Sequence, residues 1–190
     1  MKFPWIILIG ALCLRTTALA GSPATITNDN SPVLTKSHIE ERLQQLDGIV
    51  DMRYDSEVKY FLQQYIYQAP HSTETILGRA ALYFPIFEHY LQTNGLPEGL
   101  KYLPLVESRL LPKATSPVGA RGLWQFTYPT ARAYTLSITQ HVDERRDPIR
   151  STEAAVAYLS DLHTEFNDWA LVLAAYNCGA GRVRKAIRAA

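Results

Sequence analysis

Apolar residues recur at intervals of three and four positions along most of the chain, which is the period of an amphipathic α-helix. No stretch alternates apolar and polar residues long enough to indicate a β-strand. The pattern therefore predicts an all-α fold class with at most a minor hairpin. Helices are predicted over residues 37–46, 55–68, 73–93, 96–107, 127–134, 151–166 and 169–176, and a further helix is expected to begin near Val183.

Local signals refine several of these helices. Ser37 and Glu40 have the spacing of a capping box, which predicts that the first helix begins at Ser37. Pro85 lies inside the third helix, where a proline favours a kink. Asp168 is expected to cap the helix predicted over residues 169–176, which is apolar nearly all round and is therefore predicted to be buried. The aromatic residues of the segment 54–90 recur at helical spacing and are interpreted as core residues.

The N-terminus has the parts of a secretory signal peptide. A positive residue precedes an apolar run at residues 5–14, and an Ala-Leu-Ala cleavage site follows. This run is shorter than the roughly 20 residues that a transmembrane helix needs. Residues 1–20 are therefore predicted to be a signal peptide, so the mature protein is expected to start at Gly21 and to be exported. Residues 21–36 are rich in Ser, Thr, Pro and Asn, which favours a flexible lead-in.

Charge and composition argue against several classes of function. Loss of the signal peptide removes Lys2 and Arg15 from the 19 basic side chains and none of the 18 acidic ones, so the formal net charge becomes −1. No nucleic-acid partner is expected, because such proteins normally carry a strongly basic surface. Only Cys178 then remains, which leaves no internal disulfide. The five histidines do not cluster with other ligand residues, so no metal and no cofactor are predicted.

The most distinctive stretch of the chain is residues 103–126. Glu107 stands at the end of an apolar helical run, and a proline-punctuated loop and a Gly-Ala-Arg-Gly turn follow it. An apolar environment disfavours the ionised form of a carboxyl group, so a glutamate in this setting is suited to act as a general acid. A glutamate near a helix end is more commonly a solvated surface residue, and Glu107 alone does not distinguish the two interpretations.

The neighbours of Glu107 favour the catalytic interpretation. Glycines in the turn allow the backbone to approach a ligand closely. Ser116 and Gln125 offer hydrogen bonds, while Trp124 and Phe126 offer aromatic faces for stacking. These residue types are the ones that a general acid at a sugar-binding site needs around it.

Five blocks of residues follow one another in the second half of the chain: ES at 107–108, SPVGARGLWQ at 116–125, DERRDP at 143–148, STEAA at 151–155 and AYNCGAGRV at 175–183. In their order and spacing they resemble the bacterial lytic transglycosylases with a goose-lysozyme-like catalytic domain, of the membrane-bound lytic murein transglycosylase D type. The resemblance runs from about residue 39 to the C-terminus. Several separated blocks in register are far more specific than any single block.

The resemblance implies a lysozyme-like helical domain over residues 96–190, with residues 37–95 as an N-terminal helical segment packed on it. It implies cleavage of the β-1,4 bond between N-acetylmuramic acid (MurNAc) and N-acetylglucosamine (GlcNAc) in peptidoglycan, with formation of 1,6-anhydroMurNAc. Peptidoglycan strands are the expected partner, a monomer is the expected state, and the periplasm is the expected location. Peripheral association with the outer membrane stays open.

Carried over position by position, the resemblance makes Glu107 the catalytic acid and base. Ser116 and Gln125 become ligands of the sugar ring and its N-acetyl group. Tyr176 is expected to hydrogen-bond and orient Glu107, and Asn177 to support the same site. Taken alone, Tyr176 is interpreted as a core tyrosine, whereas the AYN block favours the site role. Asn177 with the glycines after it could equally form a helix C-cap, which is compatible with a role in the site. The DERRDP segment is expected to brace the groove from below.

Glycosidases usually deploy two carboxylates. The other candidates, none in a comparable setting, are Glu98, Asp143, Glu144 and Asp147. One carboxyl suffices if the substrate supplies the nucleophile from within, as the resemblance implies. Family members continue beyond the equivalent of Ala190 with a segment that closes the groove, so the resemblance also implies a C-terminally truncated domain. Two alternatives therefore stay open: a non-catalytic or inactive peptidoglycan-binding fragment, and a goose-type lysozyme that hydrolyses the same bond.

Overall fold

The computed structural model describes residues 35–44, 49 and 54–190, and within them the protein is all-α, which confirms the predicted fold class. The eight α-helices of these residues are α1 (Lys36–Gln44), α2 (Ser56–Gln63), α3 (Pro70–Thr93), α4 (Leu103–Ser108), α5 (Tyr128–Ala133), α6 (Pro148–Phe166), α7 (Trp169–Cys178) and α8 (Ala180–Ala189). A π-helical turn, Gln64–Gln68, precedes α3. The predicted signal peptide lies outside the described residues, as does nearly all of the predicted lead-in.

The longest helix, α3, supplies the surface on which the site-bearing segments pack. It lies against α6 and against the turn that leads into α4. Phe84 and Phe87 point into the core, as the helical spacing of the aromatic residues predicts. Tyr60 and Tyr67 are more than half exposed, at 55% and 56%, so the core interpretation is wrong for these two.

Two helix starts differ from the prediction. α1 begins at Lys36, so Ser37 lies inside the first turn and contacts the Thr35 hydroxyl at 3.1 Å instead of forming the predicted capping box. α3 begins at Pro70, three residues before the predicted start at Thr73. A proline is suited to the first turn of a helix because its missing N–H has no partner to lose there.

Aspartates cap α6 and α7. The Asp147 carboxylate accepts two backbone N–H groups of the first turn of α6, at 2.9 and 2.8 Å, so this helix begins at Pro148, before the predicted start at residue 151. Asp168 caps α7 as predicted, with a bond of 3.0 Å. α7 packs on α6 and α8, but Ala170 near its start and Asn177 near its end are exposed. The helix predicted to be buried is therefore buried only in part, at Val172, Leu173 and Ala175.

The single helix predicted over residues 96–107 is in fact two pieces. A 3-10 turn, Glu98–Tyr102, comes first, and α4 follows it directly. Pro104 explains the change, because it has no N–H to donate to the Leu100 carbonyl and so cannot continue a regular α-helical ladder. The result is a short helix that presents Glu107 in its last turn.

Candidate active site

Glu107 is half-buried in the last turn of α4, beside the buried Ser108. The helix stops there because Arg109 and Leu110 both adopt left-handed backbone conformations, with φ of 54° and 57°. Left-handed conformations are unfavourable for residues that carry a Cβ atom. Leu110 is fully buried, and its burial offsets part of this cost. Glu107, at this abrupt end of the helix, lines a pocket.

The loop between α4 and α5 is closed on itself by hydrogen bonds. The Ser116 N–H donates to the Ala120 carbonyl at 2.9 Å, and the Ala120 N–H donates to the Ser116 hydroxyl at 3.0 Å. Arg121 and Phe126 exchange both of their backbone hydrogen bonds, at 3.0 and 3.1 Å. These contacts form isolated antiparallel bridges, which take the place of the minor hairpin that the prediction allowed.

A buried arginine holds this loop in place. Arg145 donates from Nη1 to the carbonyls of Gly119, at 3.1 Å, and Phe126, at 3.4 Å. Its Nε and Nη2 donate to the two carboxylate oxygens of Asp143, each at 2.8 Å, and Arg121 also donates to Asp143, at 3.0 Å. The hydrogen bonds from Arg145 lower the pKa of Asp143 from 3.8 to about 2. The DERRDP segment thus packs directly against the loop.

Gly122 makes the contact between the loop and Arg145 possible. Its φ is +82°, and a Cβ atom at this position would lie 1.6 Å from the Arg145 carbonyl oxygen. Gly119 has a similar φ of +78°, but a Cβ atom there would meet nothing within 4 Å. Gly122 is therefore required for close packing, whereas Gly119 is required only for its backbone conformation.

Ser116 and Gln125 present polar groups to the pocket from this loop. Since the Ser116 hydroxyl oxygen already accepts the Ala120 N–H, its hydrogen remains available for a further acceptor. The Gln125 Nε2 group donates to the Gly122 carbonyl at 2.9 Å, which fixes the orientation of the amide and leaves Oε1 to accept a hydrogen bond.

Tyr176 and Asn177 reach the pocket from α7. The Tyr176 hydroxyl donates to the backbone carbonyl of Trp124 at 2.7 Å. Burial raises the pKa of Tyr176 well above 10.0, and the negative charge of Glu107 raises it further, so the phenol stays neutral near that carboxylate. Asn177 is exposed, and Gly179, with φ of 90°, ends the helix after it.

One pocket of about 410 Å³ contains all five residues that the sequence analysis singled out, namely Glu107, Ser116, Gln125, Tyr176 and Asn177. It is also lined by residues that the sequence analysis missed, among them Arg109, Thr115, Val118 and Thr127. Two signals pointed to some of these residues. Arg109 directly follows the Glu-Ser pair, and threonine hydroxyls flank the small-residue loop on both sides.

Trp124 and Phe126 do not offer faces for stacking, so that interpretation is wrong. Trp124 is fully buried and Phe126 is 2% exposed. The Trp124 indole N–H donates to the Thr152 hydroxyl at 2.9 Å, and its ring packs edge-on against Phe87 with a centroid distance of 5.2 Å. Burial of a large indole is favourable when its N–H finds a partner in the core.

Glu107 is the single carboxylate among the described residues that line the pocket. The other acidic candidates are engaged elsewhere: Glu98 with Lys101, Asp143 with Arg145, Glu144 with the Ser137 N–H, and Asp147 with the first turn of α6. Across the described ranges, no group of three or more His, Cys, Asp or Glu side chains is arranged to hold a metal ion. None of the helices that the structure describes is both long enough and apolar enough to cross a bilayer.

Comparison with known proteins gives a family match and several relatives. The family model described as Transglycosylase SLT domain matches residues 84–190. Over 111 residues the chain is 42% identical to the membrane-bound lytic murein transglycosylase D of Escherichia coli (strain K12), covering 58% of this chain and 25% of that protein. It is 39% identical over 107 residues to a putative tributyltin chloride resistance protein of Alteromonas sp. (strain M-1), covering 56% and 51%. The membrane-bound lytic murein transglycosylase F of Shewanella sediminis (strain HAW-EB3) is 32% identical over 165 residues, covering 82% and 32%.

The matched region spans about half or less of the length of each of these relatives. The family match covers more than half of this chain and includes every residue that lines the pocket. The chain therefore belongs to the family of the Transglycosylase SLT domain.

Proposed function

We propose that the protein is a peptidoglycan lytic transglycosylase, which cleaves the β-1,4 bond between MurNAc and GlcNAc and forms 1,6-anhydroMurNAc. The observation that carries the proposal is the position of Glu107, the single carboxylate among the described residues of a pocket otherwise lined by uncharged residues and one arginine. Family membership and two relatives named as lytic murein transglycosylases support it.

In this proposal Glu107 acts first as an acid and then as a base. Its protonated carboxyl group gives a proton to the oxygen that links the two sugars, and the bond from this oxygen to C1 of MurNAc breaks. The resulting carboxylate takes the proton of the C6 hydroxyl group as the C6 oxygen bonds to C1. Glu107 is protonated again at the end, and no water is consumed. Attack from within the same sugar has a high effective molarity, so a second carboxylate is unnecessary.

The other residues of the pocket hold the sugar in this scheme. Gln125 Oε1 and the Ser116 hydroxyl hydrogen are suited to bind the N-acetyl group and the ring hydroxyls, because both groups are fixed by bonds within the loop. The Tyr176 hydroxyl gives its one hydrogen to the Trp124 carbonyl, so in this scheme its oxygen orients Glu107 by accepting a hydrogen bond from the protonated carboxyl group. The raised pKa of Tyr176 keeps it neutral during the proton transfers. Asn177 supports the same site from the last turn of α7.

The predicted signal peptide and the membrane-bound relatives support a periplasmic, envelope-associated location, with peptidoglycan strands as the partner. Peripheral association with the outer membrane and a monomeric state belong to the same proposal. Hydrolysis of the same bond by water, as in a goose-type lysozyme, is the second candidate. The exposure of Asn177 favours it, because this side of the pocket is open to solvent.

Mass spectrometry of the soluble products released from purified sacculi tests the proposal. Anhydro-muropeptides, lighter by one water than hydrolysis products, are the expected result. Muropeptides with reducing ends would instead identify a lysozyme. Sedimentation of a folded protein with sacculi, without release of products, would identify a non-catalytic peptidoglycan-binding protein.

Two matched variants locate the chemistry. Glu107→Gln keeps the shape of the side chain but has no transferable proton, so release is expected to fall by at least roughly 100-fold. Glu57→Gln removes an exposed carboxylate from the first turn of α2, outside the pocket, and release is expected to stay at the wild-type rate. Unchanged release by Glu107→Gln would refute its role as the acid.

A further inference from the structure

Arg109 in the pocket and its neighbour Arg79 form no ion pair with a carboxylate in the described part of the chain. Arg109 lines the pocket two residues after Glu107. Arg79, on α3, donates from Nη1 to the backbone carbonyl of Arg109 at 3.2 Å. A guanidinium group that is not engaged in an ion pair makes this part of the pocket favourable for an anion.

The Arg109 side chain is held in position across the fold. Its Nη2 group donates to the Ser72 hydroxyl on α3 at 2.9 Å, a contact between residues 37 positions apart in the chain. The guanidinium group has five N–H donors, and the bond to Ser72 uses one of them. Arg109 is nevertheless exposed, so the remaining donors are accessible to a ligand that enters the pocket.

We propose that Arg109 is a specificity subsite for a carboxylate on the lactyl side of the MurNAc residue bound in the pocket. This inference rests on the proposed function. MurNAc differs from GlcNAc by a lactyl ether, which bears the stem peptide in peptide-carrying strands and ends in a free carboxylate in peptide-free strands. The sugar rings are neutral, so this substituent carries the anionic groups of the substrate. A guanidinium group binds carboxylates through paired hydrogen bonds, and it offsets the repulsion between such a carboxylate and ionised Glu107.

The position of Arg109 also gives the subsite a role in orientation. A strand of alternating sugars can enter the pocket with either sugar beside Glu107, and only MurNAc brings a carboxylate to Arg109. Binding of this carboxylate therefore favours the register in which the MurNAc–GlcNAc bond, rather than the GlcNAc–MurNAc bond, lies at the acid.

Three soluble strands test the subsite: strands with stem peptides, amidase-treated strands with free lactyl carboxylates, and strands whose carboxylates have been amidated with methylamine. Arg109→Gln is expected to lower kcat/KM about tenfold on carboxylate-bearing strands, mainly through KM, and to have no effect on amidated strands. Arg109→Lys should recover part of the loss. Arg188→Gln, an exposed arginine outside the pocket, is the control and should behave as wild type. If kcat/KM falls only on peptide-carrying strands, Arg109 binds stem-peptide carboxylates. If kcat/KM falls only on amidase-treated strands, Arg109 binds the lactyl carboxylate.

Binding of the same strands by calorimetry, in a Glu107→Gln background, separates this inference from the proposed function. Charge-dependent binding without cleavage by the wild type would refute the transglycosylase proposal and keep the subsite. The subsite would be overturned if Arg109→Gln weakened the binding of charged and amidated strands equally. It would also be overturned if amidation left the binding of the strands to the wild type unchanged. If Arg109→Gln fails to fold, the binding of charged and amidated strands is compared between the wild type and Arg109→Lys instead. The same outcomes then support or overturn the subsite.

Discussion

The hydroxyl group of Tyr176 donates a hydrogen bond of 2.7 Å to the backbone carbonyl of Trp124, which lies 52 positions earlier in the chain. This bond joins α7 to the loop at the residue just before Gln125. Trp124 is itself fixed in the core by the bond from its indole N–H to Thr152. The shape of the pocket therefore depends on a core contact between two segments that are remote in sequence.

Tyr176→Phe removes this bond and leaves the Trp124 carbonyl without its partner. We expect the free energy of unfolding to fall by about 1–3 kcal/mol, because a polar group buried without a partner costs about that much. Muropeptide release should fall at least roughly tenfold, since Gln125 loses its fixed position and Glu107 loses the hydroxyl group beside it. Urea denaturation and product release measure the two effects.

Tyr134→Phe is the matched control for this prediction. The Tyr134 hydroxyl donates to the Asp161 carboxylate at 2.8 Å in an exposed setting, where water replaces the lost partner. We expect a loss below about 1 kcal/mol and wild-type release. Equal effects of the two substitutions would show that the bond to Trp124 has no special role.

The grouping of site residues was predictable from the sequence to a large extent. Glu107 is marked by its apolar helix and the small-residue loop after it, and Tyr176 by the block that resembles the transglycosylases. The orientation of Trp124 was not predictable, because a tryptophan beside a polar turn fits either a ligand face or the core. Its burial depends on Thr152, and nothing in the local sequence connects these two residues.

The fold shows the same division between local and long-range information. Helical periodicity predicted where helices occur, whereas prolines and aspartate caps determine where they start, as at Pro70 and Pro148. The contact of Arg109 with Ser72 joins residues 37 positions apart, so it follows from packing and not from any local pattern.

Gly122→Ala tests the close contact between the loop and the backbone of Arg145. A Cβ atom would lie 1.6 Å from the Arg145 carbonyl oxygen, so one of the two segments must move. We expect a loss of at least about 3 kcal/mol in the free energy of unfolding, because an incompatible conformation is combined with overpacking. Thermal unfolding and urea denaturation measure this loss.

Gly119→Ala separates the clash from the backbone conformation. Its φ of +78° is close to the +82° of Gly122, but a Cβ atom there has nothing within 4 Å. The expected loss is only the cost of a left-handed alanine, about 1–2 kcal/mol. If both alanine variants lose the same amount, the contact with Arg145 contributes nothing beyond the backbone conformation.

Asp143 gives the loop a dependence on acid pH. Its pKa is about 2 in the folded protein, below the ordinary value of 3.8, chiefly because Arg145 donates hydrogen bonds to the charged form. A carboxyl group whose folded pKa is lowered stabilises the fold above its unfolded pKa. This stabilisation, on the order of 2 kcal/mol, is lost as the pH falls through 3.8 toward 2.

Asp143→Asn isolates this contribution from that of the other carboxylates. Near neutral pH the variant should be less stable than the wild type by about 3 kcal/mol or more, because the buried Arg145 loses its charged partner. At the acid end of the range Asp143 is itself partly protonated, so both proteins place an increasingly neutral group beside Arg145. The difference in the free energy of unfolding should therefore narrow by an amount approaching 2 kcal/mol between neutral pH and about pH 2. A difference that stays constant over this range would mean that the Asp143 charge does not stabilise the loop.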